Sequence, residues 1–313
     1  MLSIVLLPLL TLLAPEPSDR ATVLVVVGAP GTEEYGKSFR AWTDRWRQAA
    51  ERGGASSIVI GLDDDDSDDR GVLKSRLDEE RQHAGAALWL VLIGHGTFDG
   101  KTARFNLRGP DVSAGELAGW LSGVQRPLAV IDCASASGPF INEVSAAGRV
   151  IITATKSGFE HNFARFGDHL SSAIADPKAD LDKDDQTSLL EAFLLAAAGV
   201  KEYYEANGRL ATEHALVDDN GDRLGTPADW FHGLRATKAA KDGAALDGLL
   251  ANQFQLVASG GELRLSNESR HRRDELEAEM AALRRRKNDL PEADYYERLE
   301  KLAVEMAHVY EQQ

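Results

Sequence analysis

One cysteine, Cys133, lies in the stretch 127–138, Pro-Leu-Ala-Val-Ile-Asp-Cys-Ala-Ser-Ala-Ser-Gly. An apolar run there ends in a charged residue, then the thiol, then small and turn-forming residues. A second stretch has the same grammar: Ala87-Leu-Trp-Leu-Val-Leu-Ile is followed by Gly94, His95 and Gly96. A thiol near pH 7 is mostly protonated while the thiolate is the nucleophile, so a working cysteine needs a base or a positive neighbour. His95 is the residue type for that task. Its flanking glycines let a substrate backbone come close, and the amides of Gly96 and Cys133 are candidate donors to an oxyanion. The small residues after Cys133 are expected to leave the thiol exposed. The plain alternative is a buried, inert thiol, the usual state of a free cysteine, beside a loop histidine satisfied by its surroundings.

Such a pair has to be positioned by a sheet. Runs at Thr22–Val27, 57–61, Leu88–Ile93, 128–131 and 149–154 read as strands, with helices or loops between them. That alternation predicts an α/β fold with a mostly parallel sheet, and ligands of such sheets gather at the strands' carboxyl ends. Tyr35, Phe39, Trp42, Trp46 and Ala49 recur at helical spacing, with Thr32 as N-cap and Glu33 and Glu34 in the first turn. Further helices are predicted over 70–83, 113–122, 168–175 and 188–206, and a sixth strand over 211–217. The acidic run 63–69 reads as a solvated loop. From about residue 266, Leu276, Met280 and Leu283 share one helical face. After a break at Leu290-Pro291, so do Tyr296, Leu299, Ala303, Met306 and Tyr310. The predicted organisation is therefore a signal peptide at 1–18, a catalytic domain at 19–260 and a helical hairpin or coiled coil at 261–313. The hairpin is expected to dock on the main domain, bind a protein partner or self-associate.

The chain has 313 residues, 43% hydrophobic and 27% charged, enough for a sizeable core. A net charge of −15 argues against nucleic acid as the main partner, because phosphate binding needs a basic face. No apolar span approaches the roughly 18 residues of a membrane helix. Residues 1–14 are a short apolar run followed by Pro15-Glu-Pro-Ser18, which predicts a secretory signal and export to the periplasm or the exterior. If that run is not a signal, the chain stays cytoplasmic. In an exported chain a lone cysteine has no internal disulfide partner.

One motif is a decoy. Gly31-Thr-Glu-Glu-Tyr-Gly36-Lys37-Ser38 matches a phosphate-binding loop and follows a strand, and the run 128–132 ends in an aspartate. A phosphate cradle needs free amides and no negative charge. Here Glu33 and Glu34 would face the phosphates, and the helical period begins at Tyr35, which places Gly36, Lys37 and Ser38 inside a helix. A nucleotide hydrolase is disfavoured.

Gly94-His95-Gly96 taken with Asp132-Cys133-Ala-Ser-Ala-Ser-Gly138 resembles the caspase-like cysteine peptidases, nearest the legumain type and its bacterial relatives, over about residues 22–230. The resemblance implies a three-layer sandwich around a mostly parallel, six-stranded sheet. It implies an endopeptidase acting through a His95–Cys133 dyad and a thioester acyl-enzyme, with Gly96 in the oxyanion hole and no required cofactor. His95 would mainly protonate the leaving amine. Two departures stand out. Asp132 occupies a position where legumains have a small residue preceded by Glu. The position of the metacaspase specificity aspartate, two before the cysteine, is Ile131. Alternate strand residues face opposite ways, so Asp132 does not inherit that role by proximity. Candidate substrate-binding residues are Asp132, Glu160 and Arg165.

Asp180, Asp182, Asp184, Gln186, Ser188 and Glu191 fall at positions one, three, five, seven, nine and twelve of a calcium-loop pattern, an oxygen array suited to a hard cation. Asp185 stands where the pattern has glycine. The other reading is an acidic linker that caps the next helix. Asp218, Asn220 and Asp222 could form a second site, though an Asn-Gly hairpin turn accounts for them more simply.

The function this supports is an exported cysteine endopeptidase acting on a peptide or protein substrate. A transpeptidase using the same dyad and a catalytically silent binding scaffold are the alternatives.

Overall fold

The computed structural model describes residues 20–62, 68–241 and 244–311. The signal-peptide expectation for 1–18, and residues 63–67 of the acidic run, lie outside them.

In chain order the elements are β1 (Thr22–Val27), α1 (Glu33–Arg52), β2 (Ser56–Ile60), α2 (Asp69–Glu80), β3 (Leu88–Ile93), β4 (Gly96–Phe98), β5 (Ala103–Phe105) and β6 (Val112–Ser113). Then come α3 (Ala114–Leu121), β7 (Leu128–Asp132), α4 (Pro139–Val144), β8 (Arg149–Thr153), α5 (Phe166–Ala173), α6 (Leu189–Ala206), β9 (Leu216–Asp218) and β10 (Thr226–Pro227). The chain closes with β11 (Phe231–His232), β12 (Arg235–Ala236), α7 (Leu249–Asn252), α8 (Gly260–Arg264), α9 (Asn267–Arg285) and α10 (Glu292–Glu311).

The main sheet runs β10-β9-β8-β7-β3-β1-β2. The pairings from β2 to β8 are parallel, while β9 and β10 join antiparallel. The fold is α/β with a mostly parallel central sheet, as expected, but the sheet has seven strands rather than six. The added strand is the two-residue β10. β1, β3 and β7 are buried along their whole length, which is why they read as unbroken apolar runs instead of alternating ones.

The pleat sorts their side chains into two cores. Val23, Val25, Val91, Ile93, Ile131 and Cys133 face a layer that includes Phe39, Trp42 and Trp46 of α1 and Leu170 of α5. Leu24, Val26, Leu90, Leu92 and Val130 face the opposite layer, which includes Leu73 of α2, Leu117 of α3 and Phe140 of α4. The Thr32 hydroxyl accepts the Tyr35 amide at the start of α1. Gly36 donates back to Thr32 O, and Lys37 pairs with Glu33 inside the helix. The amides of the phosphate-loop look-alike are thus used by helix geometry.

Two other expectations change. The predicted strand over 211–217 is β9, Leu216–Asp218. The residues before it leave the sheet because Glu213 and His214 turn their side chains to the loop before α5. The C-terminal helices α9 and α10 pack as a pair, but α10 buries a different stripe. Tyr295 and Val309 are buried, Leu302 and Met306 pack beside them, and Tyr296 and Tyr310 are about half exposed. The spacing 295, 302, 306, 309 is as helical as the predicted stripe. The tail meets the rest of the chain where the Gln253 side chain donates to Glu277 of α9 at 2.8 Å.

Candidate active site

β3 and β7 are neighbours, with Leu92 opposite Asp132. Their exits therefore lie side by side, and His95 and Cys133 have the parity of the face that carries Ile93 and Ile131. His95 leaves β3 and enters the three-stranded sheet β4-β5-β6, which begins at Gly96. The close approach requires glycine at 96: a Cβ there would stand 2.2 Å from Ser135 O.

The imidazole sits among aromatic rings. Tyr35 is 4.8 Å away centroid to centroid, Phe39 5.3 Å and Phe163 5.9 Å. Its Nε2 lies 3.2 Å from Pro30 O. A carbonyl only accepts, so Nε2 carries the hydrogen and Nδ1 is the basic nitrogen.

Cys133 is 1% exposed, against the expectation of an open thiol. The cause is α5. A Cβ added at Gly167 would meet Trp42 at 2.7 Å and Cys133 Cβ at 2.8 Å, so helix, indole and cysteine close on one another. Arg45 of α1 holds α5 in place through Asp168 at 2.6 Å and Ser171 Oγ at 3.1 Å. Burial pushes the thiol pKa well above its ordinary value, and the nearby carboxylates of Asp132 and Glu213 push the same way.

The two expected oxyanion donors differ. The Cys133 amide continues the ladder to Leu92 O at 2.9 Å and is committed there. The Gly96 amide makes only a long contact, 3.4 Å, to Ser135 Oγ, which itself lies 3.3 Å from Gly96 O. Of the two, Gly96 is the donor more easily released.

Asp132 is buried with the parity of the second core, its Oδ1 accepting the Ala134 amide and its Oδ2 without a partner. This placement does not offer it to a substrate. Burial raises its pKa to about 7, against the smaller opposing effect of the Ala134 amide. Glu160 is occupied as well: it binds His214 Nδ1 at 2.5 Å and accepts the Lys156 and His214 amides. Arg165 lies nearer the pair, its guanidinium 4.1 Å from the Tyr203 ring centre and 5.8 Å from that of Phe163, the ring that also flanks His95.

Glu213 went unnoticed in the sequence. It is buried, accepts the Arg165 and Phe166 amides at the start of α5 and a hydrogen bond from the Tyr204 hydroxyl, and burial raises its pKa. No local spacing marks it, since the two amides it accepts are about 48 residues away in sequence.

In the acidic loop, one carboxylate oxygen each from Asp180, Asp182 and Asp184 lies within 4.8 Å of the others. Asp180 accepts the amides of Lys183, Asp184 and Asp185, and Asp185 takes the left-handed conformation (φ 67°) that the pattern's glycine would supply. Glu191 is engaged on both oxygens. Oε1 accepts the Leu181 amide, and Oε2 takes part in the Ser188 capping box of α6. The Gln186 side chain reaches Asp184 and Ser259. The Asp182 carboxyl is shielded although the residue is exposed. That shielding, then the charges of Asp184, Glu191 and Asp180, raises its pKa to about 6. Three converging carboxylates suit a hard cation, while the committed Glu191 would have to share its oxygens.

No protein-family model matches the sequence, and no curated protein matches it. The solved structures similar in fold include two caspases. One is caspase-1 from Spodoptera frugiperda, at 8% identity and TM-score 0.42, with 64% of this chain and 87% of that one covered. The other is the Drosophila initiator caspase Dronc, at 14% identity and TM-score 0.41, with 67% and 83% covered. Among the described residues no helix is long and apolar enough to cross a membrane.

Proposed function

We propose that this chain is a cysteine endopeptidase, held here in a closed form, with His95 and Cys133 as its catalytic pair. The observation that carries the reading is the hydrogen bond from His95 Nε2 to Pro30 O. It fixes the ring and leaves Nδ1 as the basic nitrogen on the sheet face that Cys133 shares. In the opened form the Cys133 thiolate attacks the scissile carbonyl and forms a thioester as the amine departs. His95 carries the thiol proton and hands it to that amine, and water then releases the acid. Gly96 N–H, freed from Ser135, stabilises the oxyanion. We propose in addition that the loop 180–191 takes up calcium through Asp180, Asp182 and Asp184.

The burial of Cys133 favours a second reading, a silent binding scaffold with an inert core thiol. A peptide-library cleavage assay separates the two, comparing wild type with Cys133→Ala in the presence of calcium and after limited proteolysis. Cleavage lost in Cys133→Ala is the expected result. Equal cleavage by both proteins, or none by either, would defeat the peptidase reading.

A further inference from the structure

The turn after β9 holds oxygen atoms without a hydrogen-bond partner among the described residues. Six buried side-chain polar atoms among the described residues lack a hydrogen-bond partner, and three of them belong to groups that act on one another at this turn: Asp218 Oδ2, Asp222 Oδ2 and Ser145 Oγ. Asp218 is fully buried. Its Oδ1 accepts the Gly221 amide, so only Oδ2 is left over. Ser145 Oγ lies close enough to favour the Asp218 charge without reaching hydrogen-bond geometry.

The Asn-Gly hairpin does not account for these residues. β9 and β10 are joined by the seven residues 219–225. Gly221 and Arg223 have positive φ while Asn220 does not, so this is not the two-residue turn in which both central residues are left-handed. The loop is held from outside, by Asn142 donating to Arg223 O and by Asp247 accepting the Asp219 and Asn220 amides. The charges acting on Asp218 and Asp247 are those of other carboxylates, and burial raises the pKa of both. Two buried carboxylate oxygens near an unpartnered hydroxyl, with further carboxylates close by, are a donor set suited to a positive ion.

We propose that this turn is a structural cation site in which Asp218 and Asp222, with Ser145 beside them, bind calcium. The donors are all oxygen, which disfavours zinc or copper. Their burial leaves little room for the water shell that magnesium keeps. Asp218 pairs with Ile151 of β8, and Gly221 packs on Ala147 in the turn between α4 and β8. The ion would therefore clamp the antiparallel edge of the sheet to that turn.

The test is calorimetric titration with CaCl2, and with MgCl2 in parallel, of the chelator-treated full chain carrying Asp182→Asn and Asp184→Asn, which silences the other acidic loop. The expected result is one calcium per chain and a higher melting temperature with calcium. Adding Asp222→Asn, at a half-buried turn position, should weaken calcium binding by about tenfold or more and abolish the thermal shift, as should Asp218→Asn. No calcium binding by the background chain, or binding unchanged by Asp222→Asn, would overturn the proposal. So would an Asp218→Asn chain that melts higher than the background and is indifferent to calcium, because the leftover oxygen would then belong to a protonated carboxyl.

Discussion

The site face of the sheet and the turn after β9 both bury polar groups, yet those groups are satisfied in different ways. Around His95 and Cys133 the chain closes on itself. The Cys133 amide stays in the ladder, His95 is tethered by Pro30, and α5 covers the thiol. At the turn three oxygens are left without a partner among the described residues. A region that is complete without a ligand reports what must move before it can act, whereas an incomplete one reports what must arrive. Asp132 makes the contrast sharper. It too has one oxygen satisfied by a nearby amide and one left over, but its orphan is not grouped with the other two carboxyl and hydroxyl oxygens. A single buried carboxylate can be neutralised by one proton. Two carboxylates and a hydroxyl together call for a cation.

The largest test removes the cover. Trp42 is 3% exposed and flanks the same point as Cys133. Trp42→Ala is expected to cost about 3–5 kcal/mol of stability, as large-to-small core substitutions of this size do. It should also raise the rate of Cys133 alkylation by iodoacetamide about tenfold or more, since access as well as thiolate character limits a buried thiol. Alkylation at the wild-type rate in a destabilised but folded Trp42→Ala chain would show that the indole is not what shields the thiol, and the closed-site side of the contrast would have to be redrawn.

Much of the fold was legible because its information is local. Buried parallel strands announce themselves as apolar runs, and Thr32 caps its helix where its spacing to the next apolar stripe says it should. The neighbouring exits of β3 and β7 followed from the same reasoning. What escaped depends on distant partners. Nothing near Cys133 in sequence says that Gly167 and Trp42 will close over it, and nothing near Glu213 says that it will cap α5. The small β4-β5-β6 sheet was missed because strands of two and three residues carry no periodicity to detect. In α10 two helical stripes fit the sequence almost equally well, and only packing against α9 chose between them.

Asp132 provides the next test of the contrast. Its folded pKa of about 7 lies above the ordinary 3.8 of the unfolded chain, so between those values the native state holds a proton that unfolding releases. Stability contributed by the protonated form is then full below the unfolded value, falls as pH rises towards 7, and levels off above it. Across pH 5 to 8 the loss is about 2–3 kcal/mol, from roughly 1.4 kcal/mol per pKa unit. Asp132→Asn keeps an acceptor for the Ala134 amide and has no charge to bury. Urea unfolding should therefore show a flatter dependence over that range and a variant at least as stable as wild type at pH 8. The same slope in both proteins would place the titration elsewhere and would remove the distinction between the lone orphan and the clustered ones.

The smallest effect belongs to the loop 180–191, which stands between the two extremes. Its first aspartate is satisfied by three backbone amides and its final glutamate by the capping box, yet three carboxylate oxygens still converge. Because the apo loop is held by its own amides, calcium has less unsatisfied polarity to relieve here than at the turn after β9. At a concentration tenfold above the dissociation constant, binding adds about 1.4 kcal/mol, a melting shift of roughly 2–4 °C for a domain of this size. In an Asp222→Asn background, which isolates this loop, thermal melts at millimolar calcium should show that shift, and Asp182→Ala should remove it. The wild-type loop also loses a charge as pH falls through about 6, where Asp182 takes up its proton, so the calcium shift should shrink below that pH. A shift that survives Asp182→Ala would mean that the loop is no more than a well-capped linker and that calcium acts on this chain through another site.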